Sequence, residues 1–338
     1  MHSDDHSLSR RRLIQGAAAT VAVGAAASAF GQTAATDSAT TPRQPAPLRS
    51  PQDIYPKPPF KEQSQPWPGL SGKMEPKPDH GETSYQGSNR LAGRKALITG
   101  GDSGIGRAAA IAYAREGADV AIGYLPDEEA DAKEVVQLIQ DAGRKAVALP
   151  GDIRDEAFCK QLVEQAVEGL GGLDILVNNA ARQKSEQSIM DITSDAFDWT
   201  MKTNLYAMFW ITKAAIPHLP AGASIINTSS VTTYDPPSNL LDYSLTKAGI
   251  VNFSKCLAKQ LIDDGIRVNA VAPGPFWTPL QVSGGQTVEK LTSFGEDSPI
   301  GRPGQPAEIA PLYVLLASTE ASYVTGQVYG AMGGTGEP

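Results

Sequence analysis

Residues 95–106 read KALITGGDSGIG, and RAAAIAYAREG follows at 107–117 with the apolar spacing of a helix. The run KALIT has the length and composition of a strand that is buried on both faces. Gly100, Gly104 and Gly106 lie between this strand and this helix, where they permit a tight turn and a close approach to a pyrophosphate. The helix N-terminus adds free N–H groups and a favourable dipole. The stretch therefore predicts a nucleotide-binding strand–loop–helix unit.

Similar apolar runs recur along the chain, separated by longer segments with helical spacing. The further predicted strands are DVAIG at 119–123, KAVAL at 145–149, LDILVNN at 173–179, SIINTSS at 224–230, RVNAVA at 267–272 and QVYG at 327–330. One helix is predicted over 127–142, because Pro126 and three acids open it and Gly143 follows it. This alternation predicts an α/β protein with a single Rossmann-type, doubly wound parallel sheet of about seven strands and helices on both faces.

The composition excludes several classes of function. The 338 residues carry a net charge of −8, whereas a nucleic-acid-binding domain presents a basic face. Cys159 and Cys256 are the only cysteines, too few for a disulfide framework or a cysteine-based zinc site. Of the four histidines, His2 and His6 lie at the extreme N-terminus and the other two, His80 and His218, are far apart in sequence, so we expect no metal centre.

The first 29 residues have the organisation of a secretory signal peptide. SRRRLIQ at 9–15 precedes the apolar run GAAATVAVGAAASAF, and Ala27-Ser28-Ala29 provides a small-residue cleavage site. The run is shorter than the roughly 20 residues that a spanning helix needs, so no stable membrane span is expected. SRRRLIQ resembles the twin-arginine export signal, with Arg10 and Arg11 as the arginine pair, which predicts export to the periplasm. The alternative is a basic, frayed N-terminus.

A proline-rich linker or extension is predicted over residues 30–90, in front of a folded domain at 91–338. Eleven of the 25 prolines fall between Pro42 and Pro78, which excludes helices and central strands and favours extended backbone. Residues 51–90 carry more apolar surface than a linker requires, so we expect them to lie along a folded surface, their own or that of a neighbouring subunit. A solvated arm is the alternative. The apolar side chains concerned are Tyr55, Phe60, Trp67 and Leu70.

Further motifs follow the glycine loop in a recognisable order. Asn178-Asn179-Ala180 follows the fourth predicted strand, Ser230 ends the fifth, and Pro273-Gly274 follows the sixth. Tyr243 and Lys247 stand four positions apart on a predicted helix, so that they share a face. Together with the TGxxxGIG pattern of the loop, these motifs resemble the short-chain dehydrogenase/reductase family over residues 91–338.

A narrower resemblance lies outside these motifs. The proline-rich extension, the loop GGDSGIG and the run YLPDEEADA resemble the glucose/ribitol dehydrogenase-like subgroup, which includes stress-associated oxidoreductases and aldehyde reductases. Ala181 departs from the family pattern, in which glycine is usual at this position. The activities of the subgroup vary, so the resemblance narrows the reaction type more than the substrate.

The resemblance implies hydride transfer between a nicotinamide cofactor and a small carbonyl or alcohol substrate, such as an aldehyde, a ketone or a sugar. Tyr243 would act as acid and base, with its pKa lowered by the Lys247 ammonium and by an oxidised nicotinamide. Ser230 would bind the substrate oxygen as charge builds on it. Lys247 would also hold the cofactor ribose, and Asn204 would anchor a water that relays protons. A non-catalytic nucleotide-binding or scaffold protein is the alternative, whereas the loop does not fit the nucleophile elbow of a serine hydrolase.

The resemblance also implies NAD or NADP as cofactor. Tyr124 stands where NAD-preferring enzymes usually carry an acid for the ribose 2′-hydroxyl, and Asp152 matches the residue that contacts adenine. No acid at Tyr124 repels a 2′-phosphate, yet neither Ser103 nor Leu125 supplies a positive charge, so the choice stays open. The full set of expected cofactor-binding residues is Gly100, Ser103, Gly104, Ile105, Gly106, Tyr124, Asp152, Ile153, Asn179, Tyr243, Lys247, Pro273, Gly274 and Thr278.

Substrate contacts are expected in loops beyond the carboxyl ends of the strands. The candidates are Arg182 with Gln183, Val231 to Tyr234, and the segment from Pro275 to Gly301. The last segment has the length and glycines of a lid, with a disordered surface loop as the alternative. Phe276 and Trp277 favour an apolar wall of the site. The family resemblance further implies a homotetramer.

Overall fold

The computed structural model describes residues 48–336. From Arg49 onward these residues belong to one compact unit. The predicted signal peptide at 1–29 and the first part of the 30–90 segment lie outside the described residues. The compact unit begins ahead of the predicted boundary at residue 91, because the proline-rich segment packs against the sheet domain.

Seven parallel strands form one sheet in the order β3-β2-β1-β4-β5-β6-β7. They are β1 (Lys95–Thr99), β2 (Asp119–Tyr124), β3 (Ala146–Pro150), β4 (Ile175–Asn178), β5 (Ser224–Thr228), β6 (Arg267–Pro273) and β7 (Val328–Ala331). Each predicted apolar run overlaps one of these strands, and the single doubly wound sheet is confirmed. β1 pairs with β2 on one side and β4 on the other, so the winding reverses there and leaves a crevice at the carboxyl ends of these strands.

Helices cover both faces of the sheet. They are α1 (Gly104–Arg115), α2 (Glu129–Asp141), α3 (Glu156–Leu170), α4 (Ser194–Met201), α5 (Ala207–Ala215), α6 (Leu241–Leu261), α7 (Val288–Thr292) and α8 (Pro306–Ala317). Because successive strand residues point to opposite faces, β1 serves two cores. Ile98 packs in the core that contains α1, α2 and α8, whereas Leu97 packs in the core that contains α3, α5 and α6.

The second helix begins later than its sequence predicts. A 3₁₀ turn at Pro126–Glu128 precedes α2, and the Glu128 carboxylate accepts a 3.1 Å hydrogen bond from the Leu125 backbone N–H. The proline and acids therefore form a separate turn that directs Glu128 back toward the end of β2. α3 has a clear cap at each end, since the Asp155 side chain caps its N-terminus and Gly171 ends it with φ of +75°.

The proline-rich segment lies on its own chain's domain. Phe60 and Met74 are buried in a third cluster, where the Phe60 ring stacks on Trp277 with centroids 4.5 Å apart. Arg302 donates two hydrogen bonds, of 2.9 and 2.6 Å, to the Pro51 carbonyl oxygen. The Ser71 backbone N–H donates to Asp131 on α2 over 2.6 Å. Residues 51–76 are thus fastened both to α2 and to the segment before α8, and they pass over the carboxyl edge of the sheet.

Candidate active site

A cavity of about 310 Å³ lies at the carboxyl edge of the sheet, at the crevice beside β1 and β4. The loops after β1 to β6 line it, so it collects residues that are far apart in sequence. The predicted residues that line it are Gly100, Ser103, Gly104, Ile105, Tyr124, Asp152, Ile153, Asn179, Ser230, Tyr243, Lys247, Pro273, Gly274 and Thr278. Of the predicted site residues, Gly106 and Asn204 do not line the cavity.

Gly106 allows the glycine loop to fold tightly against the start of α1. A Cβ atom at this position would lie 1.9 Å from the Gly100 carbonyl oxygen, so only glycine lets α1 start this close to the turn. Asn179 fixes the same turn from the neighbouring strand, because its side chain donates 3.2 Å hydrogen bonds to the carbonyl oxygens of Thr99 and Gly100. The first N–H groups of α1 have no intrahelical acceptor and face this loop. A pyrophosphate therefore fits the loop, both in space and in charge.

Tyr243, Ser230 and Lys247 meet at the other end of the cavity. Tyr243 and Lys247 lie on α6, and Ser230 follows β5, where its Oγ accepts a 3.1 Å hydrogen bond from the Thr232 backbone N–H. Burial raises the pKa of the Tyr243 phenol to about 12, with the Ser230 hydroxyl acting in the lowering direction. The expected lowering of this pKa by Lys247 is therefore not found in the protein alone.

The charge of Lys247 depends strongly on its surroundings. Its side chain is buried, and its Nζ donates a 2.7 Å hydrogen bond to the Thr228 carbonyl oxygen. Burial lowers the pKa of the ammonium to about 7. No carboxylate is among the causes of this shift, so the lysine is held in a setting where its proton is easily lost.

Asn204 lies in a π-helical segment, Lys202–Tyr206, which separates α4 from α5. Its amide oxygen accepts a 2.7 Å hydrogen bond from the Arg182 N–H, and its amide nitrogen donates to the Arg182 carbonyl oxygen over 2.9 Å. The same nitrogen donates to Thr246 on α6 over 3.0 Å. Asn204 thus joins the loop after β4 to the helix that carries Tyr243. Its expected role in a water relay stays a prediction.

The opposite end of the cavity contains charged groups that the motifs do not include. Arg154 forms an ion pair with Asp152, with 2.9 Å between Nε and a carboxylate oxygen, and both line the cavity. Although burial acts in the raising direction, Arg154 lowers the pKa of Asp152. Asp102 and Glu128 also line the cavity, beside Tyr124. In the sequence, the run of acids after β2 predicts the start of a helix. That pattern does not indicate that Glu128 lines the cavity.

The proline-rich segment also contributes to the cavity wall. Trp67, Pro68 and Gly69 line it, and a Cβ atom on Gly69 would lie 3.0 Å from the Pro279 carbonyl oxygen. The aromatic residues of this segment predicted a packed surface, but nothing in the sequence indicated that this surface would be the cavity itself.

Two predicted substrate contacts are wrong. Trp277 is fully buried and donates a 2.8 Å hydrogen bond from Nε1 to the Pro76 carbonyl oxygen, so it anchors the proline-rich segment. Phe276 does line the cavity. Arg182 is buried beneath the cavity, where its guanidinium lies 4.8 Å from the Trp199 ring and donates to the Thr200 hydroxyl.

Only some of the remaining substrate candidates line the cavity. Gln183, Val231 and Thr232 line the cavity, whereas Thr233 and Tyr234 do not. The segment from 275 to 301 is folded, with α7 and a π-helical turn at Gln281–Gly285. The residues that it adds to the cavity wall are Pro275, Phe276, Thr278, Pro279, Leu280, Gln281, Ser283, Gln286 and Phe294.

Residues 48–336 contain neither a membrane-spanning helix nor a metal-binding cluster. No helix there combines the length and the apolar character needed to cross a membrane. No three histidine, cysteine or acidic side chains of the described residues are grouped so that they could hold a metal ion.

Comparisons with known proteins agree with this geometry. A family model described as enoyl-(acyl carrier protein) reductase matches residues 100–335. The uncharacterized oxidoreductase YghA of Escherichia coli is 58% identical over 287 residues, 85% of this chain and 98% of that protein. The NADPH-dependent aldehyde reductase 1, chloroplastic, of Arabidopsis thaliana is 43% identical, over 81% of this chain and 97% of its own. A Burkholderia cenocepacia short chain dehydrogenase in complex with NADP superposes with a TM-score of 0.67 at 35% identity, over 72% of this chain and 98% of that one.

Proposed function

This chain belongs to the short-chain dehydrogenase/reductase family of NAD(P)-dependent oxidoreductases, and on that basis we propose that it interconverts an uncharged carbonyl compound and its alcohol. The observation that carries the proposal is the position of Tyr243, Ser230 and Lys247 around one cavity with the glycine loop. The loop supports nucleotide binding, and the other three residues supply the groups that carbonyl reduction needs.

Each residue has a definable part in the reaction. A bound nicotinamide supplies or accepts the hydride. Tyr243 donates a proton to the carbonyl oxygen during reduction and takes it back during oxidation. The Ser230 hydroxyl, oriented by the Thr232 N–H, donates a hydrogen bond to the same oxygen as negative charge develops. Lys247 stabilises the phenolate that the proton transfer leaves behind, because its ammonium lies on the same face of α6.

The substrate end of the cavity favours uncharged molecules. Its wall combines apolar residues such as Leu240 and Phe294 with the amides of Gln281 and Gln286. Apart from Lys247, the charged side chains of the cavity lie at the opposite end, near Tyr124 and Asp152. A carboxylate or phosphate on the substrate would therefore lose its hydration without gaining a partner. We infer that aldehydes, ketones, sugars and their alcohols are the substrate class.

Replacement of Tyr243 by Phe tests the proposal. Turnover of NADH and NADPH would be followed with a panel of short aldehydes, diketones and sugars, and nucleotide binding would be followed by fluorescence. We expect kcat to fall by about 10²- to 10⁴-fold in Tyr243→Phe while nucleotide affinity is retained. Equal turnover by the two proteins would refute the acid–base role. Nucleotide binding without turnover of any substrate by the wild type would favour a non-catalytic binding protein.

We further propose that the protein is exported through the twin-arginine pathway with its cofactor already bound. The support is the Arg10-Arg11 pair ahead of a short apolar run. Replacing both arginines by lysine is expected to retain the protein in the cytoplasm, as measured by cell fractionation. Nucleotide should be released on denaturing protein from the exported fraction, and its absence there would contradict export of the loaded enzyme.

A homotetramer is proposed from the family resemblance and from exposed apolar side chains. Tyr206, Phe209, Leu241 and Leu245 lie on the 202–215 helical stretch and on α6, and they are 43% to 50% exposed. Such side chains on adjacent helices suit a contact between subunits. Light scattering at micromolar concentration is expected to give a tetramer mass, which Leu245→Glu should reduce. A monomeric wild type would rule the assembly out.

A further inference from the structure

A third hydrophobic cluster joins the proline-rich segment to the loop that follows β6. Its six buried side chains all lie outside the strands of the sheet. They are Phe60 and Met74 of the segment and Trp277, Val282, Leu291 and Phe294 of the loop. The centroid of the Trp277 ring lies 4.5 Å from that of Phe60 and 6.2 Å from that of Phe294. The loop therefore shares this apolar core with the segment rather than with the sheet.

Backbone hydrogen bonds hold the same two pieces together. The Phe60 N–H donates to the Thr292 carbonyl oxygen over 2.8 Å, and the Gln65 N–H donates to the Val282 carbonyl oxygen over 2.9 Å. If the loop moved away alone, both bonds would break and the shared cluster would be exposed to water. If the loop moved together with residues 60–76, the bonds and the cluster would stay intact. Residues 60–76 and 275–294 are together termed the composite lid.

The composite lid borders both the glycine loop and the substrate end of the cavity. A Cβ atom on Gly69 would lie 3.0 Å from the Pro279 carbonyl oxygen, and one on Gly104 would lie 3.2 Å from the Thr278 side chain. Close contact thus runs from the segment through the loop to the start of α1. Phe294 extends the same lid to the substrate end, where it lines the cavity. The position of the lid therefore determines how closely both places are covered.

Asp131 on α2 ties the middle of the lid to the sheet domain. Its side chain is buried, and its carboxylate accepts hydrogen bonds from the Ser71 N–H over 2.6 Å and from the Gly72 N–H over 3.4 Å. Among the described residues, only these two groups of the lid donate hydrogen bonds to the carboxylate, and a buried carboxylate needs such donors. Asp131 does not itself line the cavity, so any effect that it has there passes through the lid.

Other contacts keep the segment attached on either side of this tie. Before the lid, Arg302 donates to the Pro51 carbonyl oxygen, and after it the Asp79 N–H donates to the Gln305 side chain over 3.0 Å. Lys77 also pairs with an acid of α2 over 3.6 Å, but both side chains are about half exposed, and such ion pairs contribute little. Loss of the Asp131 contact would therefore free the middle of the lid and leave the ends of the segment in place.

We propose that residues 60–76 and 275–294 open and close as one composite lid, and that Asp131 is the positioning residue that latches this lid over the cavity. The latch closes when the Ser71 and Gly72 N–H groups reach the carboxylate, and it opens when water replaces them. The inference rests on the proposed function only because the lid covers the site where nucleotide and substrate are proposed to bind. The movement of the lid requires no turnover.

Hydrogen–deuterium exchange of the full-length protein, followed by mass spectrometry, tests the latch. Asp131→Ala leaves the Ser71 and Gly72 N–H groups without their acceptor, so exchange should rise by one common factor, about tenfold, in peptides from 60–76 and from 281–294. Asp131→Asn keeps an acceptor oxygen and should restore most of the protection. Asp141→Ala, which removes an exposed acid from the end of α2, is the matched control and should exchange as the wild type does. Peptides from β4 and β5 should be unchanged in every variant.

Steady-state kinetics provides a second readout, which a loss of stability alone would not produce. An open lid lowers the fraction of protein that is ready to bind substrate, so KM for a short aldehyde that the wild type reduces should rise about fivefold in Asp131→Ala. Saturating substrate closes the lid again, so kcat should change by less than about twofold. Circular dichroism would establish that each variant is folded.

The exchange results can overturn each part of the proposal. Faster exchange in 60–76 with unchanged exchange in 281–294 would refute the composite lid. Wild-type exchange and KM in folded Asp131→Ala would refute the latch. If Asp131→Ala does not fold, exchange of the wild type in low concentrations of urea decides, because one body requires both peptides to open with the same dependence on urea, and an unequal dependence would refute it. A wild type that turns over no substrate would overturn the proposed function and leave the exchange results to decide this inference.

Discussion

The Lys247 Nζ atom lies 5.3 Å from the centre of the Tyr243 ring, close enough for its charge to act on the phenol. In the protein alone both groups are buried, and burial moves their pKa values in opposite directions. The pKa of Tyr243 is raised to about 12, and that of Lys247 is lowered to about 7. Near neutral pH it is therefore the lysine, and not the phenol, that changes its charge.

Lys247→Met should stabilise the protein while it abolishes turnover. The unfolded chain binds the lysine proton below a pKa near 10.5, whereas the folded protein binds it only below about 7. Folding is therefore opposed by this group at pH 7, and the opposition fades as the pH rises toward 10.5. After allowance for the lost hydrogen bond to Thr228, we expect a gain of about 2 kcal/mol at pH 7. Thermal unfolding should give a higher Tm at pH 7 and a smaller difference at pH 10. A lower Tm at pH 7 would contradict the prediction.

Asn204→Ala should impair both stability and catalysis. The substitution leaves the Arg182 N–H and carbonyl groups without their partners, at an expected cost of about 2 kcal/mol. Because Asn204 also holds Thr246 on α6, kcat should fall more than KM changes. Asn252→Ala, which removes an exposed amide from α6, is the control and should behave as wild type. Unchanged kcat in a folded Asn204→Ala protein would show that the amide has no part in positioning.

Gly106→Ala should abolish nucleotide binding. The added methyl group would lie 1.9 Å from the Gly100 carbonyl oxygen, so the glycine loop would have to open. Gly72→Ala is the matched control, since its nearest neighbour would lie at an ordinary 3.6 Å. Fluorescence titration is expected to show wild-type affinity for Gly72→Ala and at least tenfold weaker binding for Gly106→Ala. Equal affinity in both would remove the loop from the nucleotide site.

Glu116→Gln should destabilise the protein at neutral pH and leave it unaffected in strong acid. Although burial acts the other way, hydrogen bonds from Tyr85, Arg90 and Ser88 hold the pKa of Glu116 at about 2. The depressed pKa contributes stability above about pH 4.5, and that contribution is lost as the pH falls toward 2. We expect a loss of about 2 kcal/mol at pH 7, with a Tm lower by about 4 °C. Exposed Glu62→Gln should have no effect, and an equal loss at pH 2 and pH 7 for Glu116→Gln would exclude the charge as the cause.

Trp67→Ala should speed the release of nucleotide. The side chain lines the cavity from the proline-rich segment, so its removal opens the wall without touching the glycine loop. Stopped-flow displacement is expected to give a rate constant for release about tenfold higher, with a smaller change in the rate of binding. Ile54→Ala, which removes an exposed side chain from the same segment, is the control. The same release rate in Trp67→Ala and the wild type would mean that the segment does not retain the nucleotide.

The strands and the glycine loop could be predicted because their signals are local. Each strand is a short apolar run, and Gly106 is required by a contact only six residues away. Tyr243 and Lys247 could be predicted because their spacing on one helix is itself a motif. Such features depend on neighbours in sequence, and the sequence displays them directly.

The errors arose where contacts between distant residues decide the outcome. The sequence predicts that Trp277 forms an apolar wall of the active site. In the structure, Pro76 and Phe60 of the proline-rich segment cover it. The sequence predicts that Arg182 contacts the substrate from a loop. In the structure it is buried against Trp199 and Thr200. The sequence places Glu128 in the first turn of a predicted helix. In the structure it belongs to the separate 3₁₀ turn after β2, which directs it into the cavity. None of these partners can be assigned from spacing or composition.

The proline-rich segment also constrains the order in which the chain can fold. Its contacts join Pro51 to Arg302, Asp79 to Gln305 and Pro76 to Trp277, across 251, 226 and 201 residues. Ribosomes add about 5–20 residues per second, so this segment waits roughly ten seconds or more for its partners to be made. A chain that stops short of Trp277 leaves it without any of these three anchors. The first described part of the chain to leave the ribosome therefore lacks its full set of contacts until Gln305 has been made.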